Sequence, residues 1–315
     1  LVSWAPYSRD PPDWHVLGTT PLDSALVPAM HMSVYVLLKV EKPGYATPIL
    51  PAGAALRFPQ TITLQPLARH DSTMVPVVAR AVIIGRPDGG VRTVRMAPFA
   101  IDKYEVTNEQ FKRFVDAGGY ARRDLWEPFL ENGRPVSWEA GIRRFTDRTG
   151  RPGPATWEGG APPRGQGRLP VGGLSWYEAA AYARFVGRQL PNIHQWRQAA
   201  GFYGNAWISP LSNLSGSAPA PVGQFRGMGP FGTFDMGGNV REWCLNPDGT
   251  RRHILGGGWS EPPWAFTHTI AEEPFDRSPM NGVRLVKPIV ADSNAALLEA
   301  DVPRAFRDYS KERPR

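Results

Sequence analysis

Cysteine is nearly absent: the 315 residues hold one, Cys244. A lone cysteine excludes an intrachain disulfide, a thiolate metal cluster and a paired-thiol redox centre. Single-cysteine nucleophilic chemistry stays formally open. Cys244, however, follows a tryptophan beside a dense polar turn, where a buried, inert thiol is expected. Long apolar runs are missing as well. No stretch reaches the roughly 18 apolar residues of a membrane-spanning helix, and no signal peptide is visible. There is no GxSxG elbow, P-loop, HExxH or nucleotide fingerprint. The 36 Lys and Arg are interspersed with 29 Asp and Glu, giving a net charge of +7 without a long basic run. That pattern predicts a mildly basic solvated surface and no nucleic-acid partner. The chain starts LVSW and ends KERPR, and both ends read as cut from something longer.

What is abundant is punctuation. With 33 Gly and 33 Pro, the chain suits neither a helical bundle nor a long regular sheet. Its 11 tryptophans suggest a loop-rich fold held by large flat side chains, or a binding surface. The densest segment is Asp235–Trp243, DMGGNVREW, shortly ahead of Ile254–Trp259, ILGGGW. Polar groups, glycines and tryptophan alternate there too closely for a helix or strand. Three causes can order such a turn: a bound cation, a ligand pocket, or a knot of hydrogen bonds.

Residues 1–70 read as a small β-rich module, with strands at 34–40 and 61–67 around a Pro-Gly turn. At this size it is expected to pack on its neighbour. Residues 71–288 form the second unit. It opens with Met74–Ile84, as a strand pair or one bent strand, and continues with a strand over Val91–Phe99. Thr107 or Asn108 caps a helix carrying Phe111 and Phe114. Residues 119–170 are expected to form an ordered loop that wraps the core through Trp126, Trp138 and Trp157. Ser175 and Glu178 make a capping box for a helix that Gly187 stops. A second helix after Pro191 carries Trp196 and Ala199. Ile254–Trp259 and Asn281–Val286 are expected strands, and 289–315 a linker with a weak helix over 294–300. The class is α+β.

The order DKYEVTNEQFKRFV, LPVGGLSWYEAAAYARFVGRQLP, FGTFDMGGNVREW, ILGGGW, NGVRLV resembles the sulfatase-modifying-factor superfamily, which includes formylglycine-generating enzymes. The resemblance runs from about Met74 to Lys287. It implies a variant of the C-type-lectin fold, preceded by a small β-sandwich-like module. WHVLGTTPLDSALVP with LLKVEKPGY resembles the module found before this domain in large bacterial serine/threonine protein kinases. There it stands outside the cytoplasm, in the periplasmic or extracytoplasmic part of a membrane-anchored protein. RDYSKERP resembles a junction to a further hydrolase-like domain.

Within that family, formylglycine generation uses copper held by two cysteines late in the domain. Soft thiolates suit Cu(I). Gly256–Arg284 is the matching stretch and contains no cysteine, so copper and the oxidase activity are not expected. An iron-dependent branch draws histidines from a separate helical domain. Here His15, His31, His70, His194, His253 and His268 form no close pair. The resemblance also implies a structural Ca2+ held by the Asp235 and Glu242 carboxylates and the Gly238 and Val240 carbonyls. Calcium favours such hard oxygens. A metal-free turn, with Asn239 and Glu242 bonded to backbone amides, stands beside that reading. A second family calcium site would begin at Asn213 and Leu214, but no carboxylate follows before Gln224, and it is not expected here. Trp259, Trp264, His268, Asp276 and Arg277 form the possible ligand cleft, with His253 flanking it, although the adjacent Asp276 and Arg277 are expected to make a surface or loop-closing ion pair. The expected role is a non-catalytic ligand-sensing or protein-interaction region of a larger receptor-like kinase. Its ligand would be a peptide, a glycan or a protein, and it would work with other domains of the same polypeptide. The alternatives are an enzyme with non-copper chemistry and a domain presenting substrate to a following hydrolase-like domain.

Overall fold

The computed structural model describes residues 1–7, 11–21, 36–52, 62, 64–85, 91–201 and 205–289, and the structural statements below concern these. The chain opens with an antiparallel sheet of β1 (Val2–Pro6), β2 (His15–Gly18), β3 (Val36–Val40) and β4 (Ile49–Ala52), in the order β2-β1-β3-β4. Alternation along β3 splits its side chains between two faces. Val36 and Leu38 join Ala52, Trp4 and Leu17 on one of them. Leu37 joins Tyr7 and Trp14 on the other and meets Met228, Leu211 and Phe234 of the following unit. The Tyr7 hydroxyl donates to the Met228 carbonyl at 3.0 Å and accepts from its N–H at 2.7 Å. The strand expected over 61–67 is not seen among the described residues. Pro66 makes one isolated bridge with Tyr45, and Leu67–Arg69 coil into a 3-10 turn. Proline has no N–H with which to continue a ladder.

The expected strand at Met74–Ile84 divides into β5 (Met74–Val77) and β6 (Arg80–Gly85), which belong to different sheets. Val91–Phe99 divides too, into β7 (Val91–Met96) and β8 (Phe99–Asp102), with Pro98 at the break. β6 and β7 form a hairpin, while β8 pairs with β5. α1 (Asn108–Asp116) is capped by Thr107 in a reciprocal box with Gln110. Asn108 is its first turn rather than its cap, and its side chain has another task. It accepts from Trp157 Nε1 at 2.8 Å and donates to the Gln166 carbonyl at 2.9 Å.

That pair of bonds ties residues 119–170 to α1. The segment contains the short hairpin β9 (Leu130–Glu131) and β10 (Arg134–Pro135) and the helix α2 (Trp138–Ile142). Trp126, Phe129, Phe145 and Trp157 sink into one core with Phe111, Phe114 and Tyr182. Asp147 orders the turn beyond α2 by accepting from the N–H groups of Thr149, Arg151 and Gly160. Ser175 and Glu178 cap α3 (Trp176–Phe185), which is buried on nearly every side, and Gly187 follows its end at φ 66°. α4 (Ile193–Ala200) is capped by Asn192 with Gln195 and closed by Gly201. α5 (Asn205–Ile208) follows it.

The last sheet runs β13-β12-β11-β14, built from β11 (Arg241–Asp248), β12 (Arg251–Leu255), β13 (Ile270–Glu272) and β14 (Asn281–Gly282). The strand expected over Ile254–Trp259 therefore ends at Leu255. Gly256 and Gly257 turn the chain at φ 100° and 75°, a region closed to most side chains. The expected strand Asn281–Val286 is likewise two short pieces, β14 and β15 (Val286–Pro288). β15 pairs with β8, so the end of the unit closes beside its beginning. Residues 294–300 lie outside the described residues.

Candidate functional site

The polar segment 235–243 is almost wholly buried. Arg284, between β14 and β15, is fully buried against the fully buried Glu242 of β11. Its Nε donates to both Glu242 oxygens at 2.9 and 3.0 Å. Its other nitrogens donate to the carbonyls of Asp102 at 2.8 Å and Phe234 at 2.7 Å. Trp196 of α4 adds an indole N–H to Glu242 at 2.6 Å. One guanidinium thus joins β8, β11 and the 234 turn, and shares Glu242 with α4.

Around it the backbone is strained to deliver polar groups. Asp235, Gly238 and Asn239 have φ of 57°, 80° and 60°. Asp235 accepts from the Gly223 N–H at 2.6 Å. The Asn239 amide accepts from Ala220 N and Asn213 Nδ2 and donates to Glu105 at 2.7 Å. Glu105 also accepts from the Val240 N–H at 2.9 Å. Burial, with the nearby charges of Asp235 and Glu242, holds Glu105 well above the usual carboxylate range. Burial also raises Glu242, against the pull of Arg284, and pushes Asp235 up to about 6. Arg284 is drawn upon by Glu242, Glu105 and Asp235 together. One guanidinium therefore stands among three buried carboxyl groups, each of which burial shifts toward its neutral form. No three His, Cys, Asp or Glu side chains converge as a metal cluster among the described residues. A site of two carboxylates and two backbone carbonyls is a different donor set.

Cys244 lies in the same core with no exposure, its thiol directed at the Glu242 carbonyl at 3.7 Å. Burial and the Glu242 charge raise it well above the usual thiol range, so it is not a thiolate.

Of the five residues of the expected cleft, Arg277, Asp276 and Trp259 take separate partners. Arg277 forks onto both oxygens of Glu178 at 2.8 and 2.9 Å. It also caps the carbonyls of Arg144, Thr146 and Gly153. It clamps the wrapping loop to α3. Asp276 accepts from the Ser278 N–H and the Asn281 amide instead of meeting Arg277. Trp259 bonds through its backbone to Asn239 and Gly216. Trp264 and His268 do come together. Their rings meet edge to face at 4.8 Å, and Trp264 is 57% exposed. His253 is buried in β12. Nearby, Arg241 pairs with Glu261, which also accepts from the Gly258 N–H at 2.7 Å.

Sequence reasoning missed Glu105, Glu178 and Arg284 as charged members of the core. The available signal was weak: a charge between apolar neighbours, in YEV and VRL, at positions that alternation assigns inward.

The family of sulfatase-modifying factor enzyme 1-like domains matches residues 65–289. A formylglycine-generating enzyme of Thermomonospora curvata is 32% identical over 237 residues, covering 63% of this chain and 72% of the relative. A hercynine oxygenase of Mycolicibacterium smegmatis is 28% identical over 233 residues, covering 61% of this chain and 53% of the relative. A serine/threonine-protein kinase of Chlamydia trachomatis is 26% identical over 260 residues, covering 69% of this chain and 39% of the relative. The chain thus spans about half of the oxygenase and well under half of the kinase.

Proposed function

The chain belongs to the sulfatase-modifying factor enzyme 1-like family, and from that premise we propose a non-catalytic role for it. It serves as a ligand-sensing or protein-interaction region of a larger bacterial receptor-like kinase, placed outside the cytoplasm. The carrying observation is chemical. Copper-dependent formylglycine generation needs a pair of thiolates, and this chain has one cysteine, Cys244, sealed in the core as a thiol. The similarity to a serine/threonine-protein kinase supports the larger context. Arg277 holds a loop against α3 through Glu178 and the Thr146 carbonyl.

The finer reading of the fold is a C-type-lectin-like domain over 71–288 behind a β-sandwich-like module over 1–70, with 289–315 as a linker. The four-stranded sheet of residues 2–52 supports the module. The ligand surface is centred on Trp264 and His268, where an exposed indole offers a stacking face for a sugar ring or a peptide side chain. Structural calcium between Asp235, Gly238, Val240 and Glu242 is part of the same reading, supported by two buried carboxyl groups, Asp235 and Glu242, in one turn.

Screening soluble glycans and peptides by tryptophan fluorescence tests the ligand surface. A hit should weaken about tenfold or more in Trp264→Ala, with the melting temperature unchanged. Hits indifferent to that change would remove Trp264 from the site. Calcium is tested by metal analysis of the purified chain. No calcium above trace, with unchanged melting on chelation, rules the ion out.

A further inference from the structure

A cavity of about 450 Å³ lies against the β9–β10 hairpin, lined by Glu131, Asn132, Arg134, Pro135 and Val136. Its volume falls within the roughly 300–1,000 Å³ of small-molecule sites. It stands apart from the Trp264 surface. A Cβ on Gly133 would lie 3.8 Å from the Thr250 side chain, so the hairpin tip sits by the turn that leads into β12. Trp264 lies beyond the other end of that strand, where a Cβ on Gly257 would meet Ala265 at 2.9 Å.

The lining is tied down from the core side. Asn132 and Gly133 form the two-residue turn with φ of 50° and 75°, the left-handed pair that such hairpins favour. The Tyr177 hydroxyl of α3 accepts from the Leu130 N–H at 2.8 Å and donates to the Leu130 carbonyl at 3.1 Å. The Val136 N–H donates to the Phe129 carbonyl at 2.9 Å, and its side chain packs on the aromatic core. Arg144 forks onto both oxygens of Glu131 at 2.6 and 3.1 Å, with its guanidinium 4.5 Å over the Phe275 ring. Groups fixed in this way meet a ligand at little ordering cost.

The chemistry of the lining narrows the ligand. Glu131 is answered by Arg144, which holds its carboxyl below the usual carboxylate range. The Arg134 guanidinium and the Asn132 amide have no side-chain partner among the described residues. Arg134 is therefore the uncompensated charge of the cavity, and a planar guanidinium suits a carboxylate. With the Glu131 carboxylate in the same lining, a monoanion fits better than a doubly charged phosphate. Asn132 can donate to and accept from hydroxyls, and Glu131 keeps lone pairs for them. Pro135 and Val136 offer an apolar face. We propose that this cavity binds a hexuronic acid. Its carboxylate takes Arg134, its hydroxyls meet Asn132 and Glu131, and the C–H face of its ring lies on Pro135 and Val136.

The test titrates galacturonate, and separately glucuronate, into the 315-residue chain at matched ionic strength, followed by calorimetry. Saturable binding of at least one is expected, and a preference between them names the epimer. Galactose, which lacks the carboxylate, and gluconate, which lacks the ring, should each bind about tenfold more weakly or worse. Arg134→Gln should weaken binding about tenfold or more, with melting unchanged because the side chain is exposed. Asn132→Gly removes the amide, keeps the left-handed turn and should weaken binding several-fold. Trp264→Ala should leave it unchanged, so this site stands or falls separately from the ligand surface at Trp264. Neither uronate binding, gluconate binding as tightly as they do, or binding indifferent to both hairpin substitutions overturns the proposal. Loss in Trp264→Ala alone overturns it too, by moving the sugar to that surface, as does an Asp- or Glu-bearing peptide that binds the hairpin more tightly than either uronate.

Discussion

Arg284→Met removes the guanidinium that pairs with Glu242 and lies near the charges of Glu105 and Asp235, while keeping much of the side-chain volume. Arg284 and Glu242 are both wholly buried, and the arginine also satisfies the Asp102 and Phe234 carbonyls. Breaking one partner of a buried pair typically costs about 3–5 kcal/mol, because the remaining charge has no solvent. The two abandoned carbonyls place this case toward the upper end. For a unit of this size, a loss of that order lowers the melting temperature by roughly 6–20 °C. The loss also acquires a pH dependence. Glu242 without Arg284 takes up a proton more readily, so the variant should recover part of its deficit at about pH 5 relative to about pH 8. Adding Glu242→Gln to Arg284→Met should recover part of it at any pH, since no charge is then stranded. Urea melts followed by tryptophan fluorescence measure all three chains. A single variant within about 1 kcal/mol of the parent would refute the argument, as would a double variant no better than the single one.

The remaining expectations concern the same core. Asp235 and Asp102 both titrate at about 6 in the fold, raised by burial, against about 3.9 unfolded. A raised folded value gives stability that is present below the unfolded pKa and lost as pH rises through the folded one, so each should withdraw up to about 3 kcal/mol between pH 4 and 6. His194, pushed down to about 4, acts in the opposite sense, with stability lost as pH falls from about 6.5 toward 4. Melts from pH 4 to 7 should show a flatter profile in Asp235→Asn, and an unchanged profile would reject the assignment. A Cβ on Gly238 would lie 2.1 Å from the Asn213 carbonyl at φ +80°, so Gly238→Ala should cost about 3 kcal/mol or more in the same assay. Asn108→Ala strands the Trp157 indole N–H in the aromatic core and should cost about 1–3 kcal/mol, with protease cutting appearing first within 119–170.

Local signals in the chain were legible where the cause was local. Capping boxes at Ser175–Glu178 and the stop at Gly187 depend on residues a few positions apart, and both are where the chain pattern puts them. The tryptophans at 126 and 157 carried the wrapping loop into the core as their size suggests. Strand extents failed where a single residue overrode a β-forming run: Pro66, Pro98 and the pair Gly256–Gly257. The partners of Arg277 and Arg284 were not legible. Each pairs with a carboxylate far away in sequence, and adjacency in the chain pointed to the wrong one, Asp276 for Arg277.

This difference bears on how function is read from a segment such as DMGGNVREW. Its charged and polar residues look chemical, yet Glu242 holds Arg284 and Trp196, Asn239 joins three chain segments, and Asp235 fastens the 223 turn. Such residues serve the architecture, with or without a structural ion. They persist whether or not a substrate is ever bound, so they identify the family without vouching for its chemistry. Evidence of use has to come from groups the fold does not require. The exposed face of Trp264 meets that condition. A Trp264→Ala chain that melts with the parent while losing a ligand would separate use from architecture, which no substitution at Glu242 or Arg284 can do.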